Sequence, residues 1–299
     1  MAADYPQIGP GILRPMPSRF LRRACARDLG LIVTLALLLG AADVPGQEAG
    51  GYGVGPGKEP TYQAVVEAYR PSPEPTQQRL FAGTRFWRLD PGRFEVETWW
   101  RVRQHRDGTG SEHLFQTEIE IGLTDHIQID IYENLQIQSG QSLDQEGNQI
   151  EMRYSIASSY GQIWGNPTLY LEWHPRHNAP DRAEGRVLLG GTLFAPELIG
   201  AANFFYEQNI ETNTLEGRDA EVGVQAAASY GFFNGQLRVG GEVKVGLDQH
   251  GGPTFKPMFL GGPNALLRLG PFKLTGTFFV GFLDNDPRIE PYLIAGLAF

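Results

Sequence analysis

The chain has 299 residues, room for one large β unit or two small domains. Its 25 Lys+Arg against 34 Asp+Glu speak against nucleic acid as a partner, because binding phosphates takes a clustered basic surface. Abundant glycine (38), with seventeen Phe, eleven Tyr and five Trp, suits a sheet-rich protein with many turns.

Arg19, Arg22, Arg23 and Arg27 form a positive cluster ahead of the apolar run LGLIVTLALLLGAA at 29–42. That run is shorter than the roughly 20 residues a spanning helix needs, and Gly40, Ala41 and Ala42 close it. Residues 1–46 therefore read as a secretory signal peptide, with an uncleaved N-terminal anchor as the alternative. Met16 competes with Met1 as the start, since a proline-bearing stretch is unusual at the head of a signal. The only cysteine, Cys25, precedes the apolar run, so it is not a lipoprotein acceptor and leaves with the leader. Residues 47–91 are rich in Gly and Pro (EAGGYGVGPGKEP, RPSPEP) and are expected to form a periplasmic segment or a plug, with the ordered body starting near Gly92.

Beyond that point the pattern has period two. In FQTEIEIGLTDHIQIDIYENLQIQ, 115–138, Phe115, Ile119 and Ile121 share one face while Gln116, Glu118 and Glu120 share the other. After LTDH, Ile127, Ile129, Ile131, Leu135 and Ile137 alternate with Gln128, Asp130, Tyr132, Asn134 and Gln136. A helix would scatter these residues; a strand sorts them onto two sides. The same reading predicts strands over 93–104, 111–122, 127–138, 149–158, 167–174, 184–193, 200–211, 219–231, 235–248, 255–269, 272–283 and 288–299. The connections alternate in kind. HRDGTGS, SGQSLDQEGN, PRHNAPDR, TNTLEGR, QHGGPT and DNDP are polar; LTDH, SYGQIWGN, FAPELI, FFN and GP are mostly more apolar or aromatic. Two classes of connection imply two ends, as in an up-and-down barrel across a bilayer, with external loops and periplasmic turns. The expected fold is all-β, a transmembrane antiparallel up-and-down β-barrel of about 12 strands occupying 92–299. A soluble sandwich or a lipocalin-like carrier shows the same alternation with the apolar rows inward.

The last strand, RIEPYLIAGLAF, carries an apolar row through Leu293, Ala295 and Leu297 to a terminal Phe299. Bacterial outer-membrane barrels commonly end this way, so the chain resembles that superfamily, and Phe299, Leu297 and Leu293 are the expected signal to the barrel-assembly machinery. The stretches EIGLTDHIQIDIY, GNPTLYLEWH, ANFFYEQ and GGEVKVG also resemble the outer-membrane barrels grouped as transporters or meta-pathway phenol-degradation proteins, over most of 92–299. That resemblance implies a barrel connected with small-molecule passage and carries over no catalytic motif.

Twelve strands lie between a filled interior and an open channel, so a narrow or plugged lumen is expected. By alternation the lumen holds Glu118, Glu120, Asp130, Glu172, Arg186, Glu207, Arg238, Glu242, Lys244 and Arg268. Two roles fit: a salt-bridge lattice, or a selectivity surface whose excess of carboxylates favours cations. Tyr160, Trp164, Tyr230 and Phe232 sit beside the periplasmic turns as candidates for an interfacial girdle, whereas Trp99 falls inward.

Catalytic signals are thin: no nucleophile elbow, phosphate-cradling loop or paired-cysteine metal site is present. His174, His177 and Asp181 on a polar loop lack the framework that fixes a metal. A lipid-facing phospholipase site would need a serine beside His113, and none is apparent. The expectation is thus no enzyme, no cofactor and no metal. Outer-membrane lipid, the assembly machinery and small hydrophilic or aromatic solutes are the expected partners, with a channel and a non-transporting structural or surface-interaction barrel as the competing functions.

Overall fold

The computed structural model describes residues 79–299 apart from 109, 141, 178, 211–218 and 250–253. The expected signal peptide, 1–46, and most of the segment expected over 47–91 lie outside the described residues. Twelve strands run in chain order: β1 Phe94–Gln104, β2 Ser111–Gly122, β3 Ile127–Gln138, β4 Asp144–Ser155, β5 Thr168–His174, β6 Arg182–Thr192, β7 Leu198–Asn209, β8 Ala220–Phe232, β9 Leu237–Gln249, β10 Lys256–Leu269, β11 Phe272–Gly281 and β12 Ile289–Ala298. Each pairs antiparallel with its sequence neighbours, and β1 pairs with β12, closing the barrel. Closure leaves no sheet edge, the condition for β structure in lipid, where an unpaired N–H or C=O has no water to turn to.

The seam is fixed at its end by Phe94 and Phe299. Their rings stack at 4.5 Å and 7°, and Phe299 N donates to Phe94 O at 2.9 Å. Leu293 and Leu297 stand on the same outer wall.

Side-chain direction settles the choice between barrel and sandwich. Leu169, Leu171, Trp173, Phe204, Tyr206, Val239, Val243, Val245 and Leu247 are exposed on the outer wall. Glu97, Glu118, Asp130, Glu151 and Lys273 are almost wholly buried inside it. A soluble sandwich or lipocalin-like carrier would need the aliphatic rows turned inward, so both alternatives fail on orientation.

Two boundaries depart from expectation. β4 begins at Asp144, within the stretch read as loop, because a register shift between Asn134 and Leu135 lets DQEGN pair with β3. The connection at 156–167 is the longest at its end of the barrel, so length alone does not separate the two ends. Trp164, Tyr230 and Phe232 are exposed at this turn end, Trp164 to 92%. Tyr160 instead turns away from the girdle and meets Trp87 edge-on at 5.6 Å.

Candidate functional site in the barrel lumen

The described chain starts well ahead of Gly92. Residues 79–90, RLFAGTRFWRLD, run irregularly through the turn half of the lumen and are almost entirely buried. Leu80, Phe81, Phe86 and Trp87 form an apolar cluster with Ala157, Ile199, Ala201, Ala227 and Leu266. Phe86 lies against Gly190 so closely that a Cβ there would be 2.5 Å from the Phe86 Cβ, so glycine makes room for the ring. Ala82 joins Trp99 and Ile294.

The segment's polar groups are matched by the wall. Glu242 on β9 accepts from Gly83 N at 2.9 Å and Thr84 Oγ1 at 2.7 Å, while its other oxygen accepts from Thr277 Oγ1 at 2.7 Å. Thr275 Oγ1 on β11 donates to Arg79 O at 2.9 Å, and Leu89 N donates to Gln128 Oε1 on β3 at 2.5 Å. Arg88 Nε donates to Ser155 Oγ at 2.9 Å. With partners on β3, β4, β9 and β11, the segment stretches inside the barrel between distant parts of the wall.

Two arginines of the segment sit in the most acidic part of the wall. Arg79 Nε donates to Glu97 at 2.7 Å and its Nη2 to Glu118 at 2.8 Å. Arg85 reaches Glu118 and Glu120, each at 2.6 Å. Glu118 thus places one oxygen on each guanidinium. Strand pairing explains the need for them: Glu95 faces Glu120, Glu97 faces Glu118, Glu120 faces Asp130, and Asp130 faces Glu151. Like charges directly opposite one another repel. Within the wall the relief comes from Arg153, at 2.5 Å from Glu151 and 2.7 Å from Asp130, and from Lys273, which meets Glu95 and lies 2.6 Å from Glu97.

The loop half of the lumen is wetter. Arg103 pairs with Glu290 at 2.8 Å, Arg182 with Glu207 at 2.8 Å and Lys244 with Glu221 at 2.6 Å. These side chains keep 18–32% of their exposure, apart from Glu290, whereas Glu118 and Asp130 keep none. Arg186 holds Glu184 at 2.7 Å, and Glu172 accepts from Gln149 at 2.9 Å and from Tyr170.

Of the residues expected from alternation, Glu118, Glu120 and Asp130 are brought together around the arginines, and Glu242 holds the middle of the segment. Glu172, Arg186, Glu207 and Lys244 line the outer half. Arg238 sits at the turn end on Ser229 and Glu197 carbonyls, at 2.8 and 2.7 Å, and Arg268 lies opposite Lys273 on β11. The alternation did not show Arg79, Arg85 and Arg88, which come from outside the strands. Their signal in the sequence was three arginines and five large apolar residues within 79–90, ahead of β1.

His174, Asp181 and His113 each make local contacts. Asn134 meets His174 Nε2 at 3.2 Å in the lumen, whereas Asp181 accepts from Trp173 Nε1 at 3.1 Å on the outer side. His113 does have a serine beside it, contrary to expectation: Ser111 Oγ lies 3.3 Å from its Nε2. Trp100 Nε1, which can only donate, points at His113 Nδ1 at 3.3 Å. Nδ1 must accept, so the proton sits on Nε2 and points at the serine, the reverse of what a general base requires. At the turn end, burial pushes the Tyr160 phenol up, partly offset by hydrogen bonding to Thr192.

No protein-family profile and no curated protein matches the chain. Among solved structures, an outer-membrane channel from Pseudomonas putida F1 aligns with TM-score 0.52 at 10% identity, over 74% of this chain and 100% of that one. The NanC porin aligns at 0.47 and 12% identity, over 69% and 98%. The translocator domain of the autotransporter NalP from Neisseria meningitidis aligns at 0.41 and 12%, over 69% and 88%. The likeness is one of fold: like the channel from Pseudomonas putida F1, the chain is a closed antiparallel β-barrel.

Proposed function

We propose that the protein resides in the outer membrane as a small-solute channel or transporter whose lumen is narrowed at the turn half by its own residues 79–90. The observation that carries this reading is the asymmetry of the lumen: a charge-lined outer half whose side chains are partly exposed meets an inner half occupied by a peptide as well as by wall side chains. A barrel built only to stand in a membrane has no need of such an arrangement, since its own side chains can fill a narrow interior. Lipid contacts the aliphatic outer wall, the assembly machinery recognises the Phe299 strand, and small hydrophilic or aromatic solutes enter from the loop end.

The competing reading is a non-transporting structural barrel. It draws on the ion-pair network itself, which is dense enough to seal the interior permanently. Planar-bilayer recording separates the two. The full chain is expected to show small or intermittent conductance steps, and an R79A/R85A variant larger ones. A variant that folds, judged by heat-modifiable migration, yet stays electrically silent sinks the channel.

A further inference from the structure

The lumen holds two unusual things together: a group of strand carboxylates with too few strand cations, and guanidinium groups brought to it from elsewhere in the chain. We propose that Glu97, Glu118 and Glu120, with the face of Trp99, form a binding site for solutes bearing a guanidinium group, filled in this structure by the chain's own Arg79 and Arg85. The inference rests on the channel reading for its route of access, not for the site itself.

The chemistry of the site is that of guanidinium recognition. A guanidinium is planar, donates in its plane and stacks through its faces. Arg79 donates in plane from Nε to Glu97 and from Nη2 to Glu118, and its Cζ lies 3.7 Å from the Trp99 ring centroid. Trp99 Nε1 also donates to the Glu97 oxygen that receives Arg79, at 3.0 Å, which fixes that carboxylate against the indole. A bare metal ion has no use for the aromatic face, and an ammonium group has no flat fork to match the two carboxylates.

The site is part of the wall rather than a product of the segment. Glu97 and Trp99 stand on the same face of β1, and Glu118 and Glu120 on the same face of β2. Glu97 and Glu118 are directly paired across the two strands. Without Arg79 and Arg85, Glu118 loses both of its cations, while Glu97 retains Lys273 at 2.6 Å and Glu120 retains only Arg153, at 3.8 Å. A cationic solute of the right shape supplies what the segment's arginines supply now, so solute and arginines compete for the same atoms.

The test uses the full chain with R79A/R85A in detergent and agmatine as the probe. Folded barrel is followed by heat-modifiable migration on a temperature ramp, and binding by calorimetry. Agmatine is expected to bind saturably, about tenfold more tightly than tetramethylammonium, which stacks on the indole but cannot donate to the carboxylates. It is also expected to raise the unfolding temperature of the variant and not that of the unsubstituted chain, whose site is filled. Adding E118Q should abolish both effects. Should the double variant fail to fold, R79A alone, which retains Arg85, carries the same titration. No saturable binding, or equal protection by calcium chloride, overturns the proposal. Recording the same variant in bilayers keeps the readings apart. Conductance without agmatine binding defeats the site and spares the channel; binding with a silent bilayer does the opposite.

Discussion

Arg79 lies over Trp99, its Cζ 3.7 Å from the ring centroid, and both side chains donate to the same Glu97 oxygen, at 2.7 and 3.0 Å. The indole therefore holds Arg79 through its face and, through its N–H, fixes the carboxylate that Arg79 meets. Trp99→Leu removes both. A desolvated cation–π contact and a hydrogen bond to a charged group together make the expected loss about 2–4 kcal/mol. Urea titration of the folded barrel should show it, with larger conductance steps in the same variant.

Glu242 is the only carboxylate in hydrogen-bond contact with the segment's turn at Gly83 and Thr84 among the described residues. Glu242→Leu leaves the Gly83 N–H and the Thr84 and Thr277 hydroxyls without this acceptor, at a cost of about 1–3 kcal/mol for each group that stays buried and unpaired. Hydrogen exchange at Gly83 should rise sharply while exchange in β2 and β3 is unchanged. Equal protection at Gly83 in both proteins would remove Glu242 from this role.

Gly190 gives Phe86 its place. A valine there forces the ring out or the wall apart, an overpacking cost of about 1–3 kcal/mol. A cysteine at Ala82, buried in the native protein, should become reactive to a water-soluble maleimide only in the Gly190→Val background. Unchanged protection would mean that the segment has another anchor strong enough to hold it.

Val243 and Lys244 are neighbours on β9 with opposite fates, one exposed on the outer wall and one paired with Glu221 inside. Val243→Arg puts a charge in the lipid band and should cost roughly 2–4 kcal/mol near the bilayer midplane, falling towards either interface. Unfolding from liposomes measures it. A substitution without effect would mean that this face does not meet hydrocarbon.

Phe299→Ala removes the ring that stacks on Phe94 at the β1–β12 seam. An aromatic pair contributes about 0.5–1.5 kcal/mol beyond its buried area, so the barrel should survive once folded. The expected defect is in yield: less heat-modifiable protein in membranes, with a near-normal unfolding midpoint for the fraction that folds.

Much of the barrel could be read from alternation because each strand sorts its own residues. β2 and β3 were legible to their ends: the aliphatic and polar rows alternate, with Leu114 and Glu133 among the exceptions, and Thr124 Oγ1 tightens the turn by accepting from His126 N and Ile127 N. β4 was cut short because DQEGN is polar and glycine-bearing, and only the register shift at Asn134/Leu135 lets it pair. Lumen residues such as Glu118 and Lys244 followed from parity, but their partners did not. The 79–90 segment has no period, and its contacts lie far away in sequence, Thr84 to Glu242 spanning 158 positions. What parity could not reveal was that β1–β4 set carboxylate against carboxylate once the register is drawn, which calls for cations from outside the strands.

That same pairing bears on how the molecule is made. A hairpin joining β1 to β2 brings Glu95 to Glu120 and Glu97 to Glu118 before any distant strand arrives, and Lys273 comes from almost the far end of the chain. Arg79 and Arg85 are much nearer in sequence, 15 and 9 positions ahead of Phe94 at the start of β1. Because the wall closes only where β12 meets β1, a segment in place before that seam forms is enclosed by it, whereas one arriving later has to enter through a finished rim.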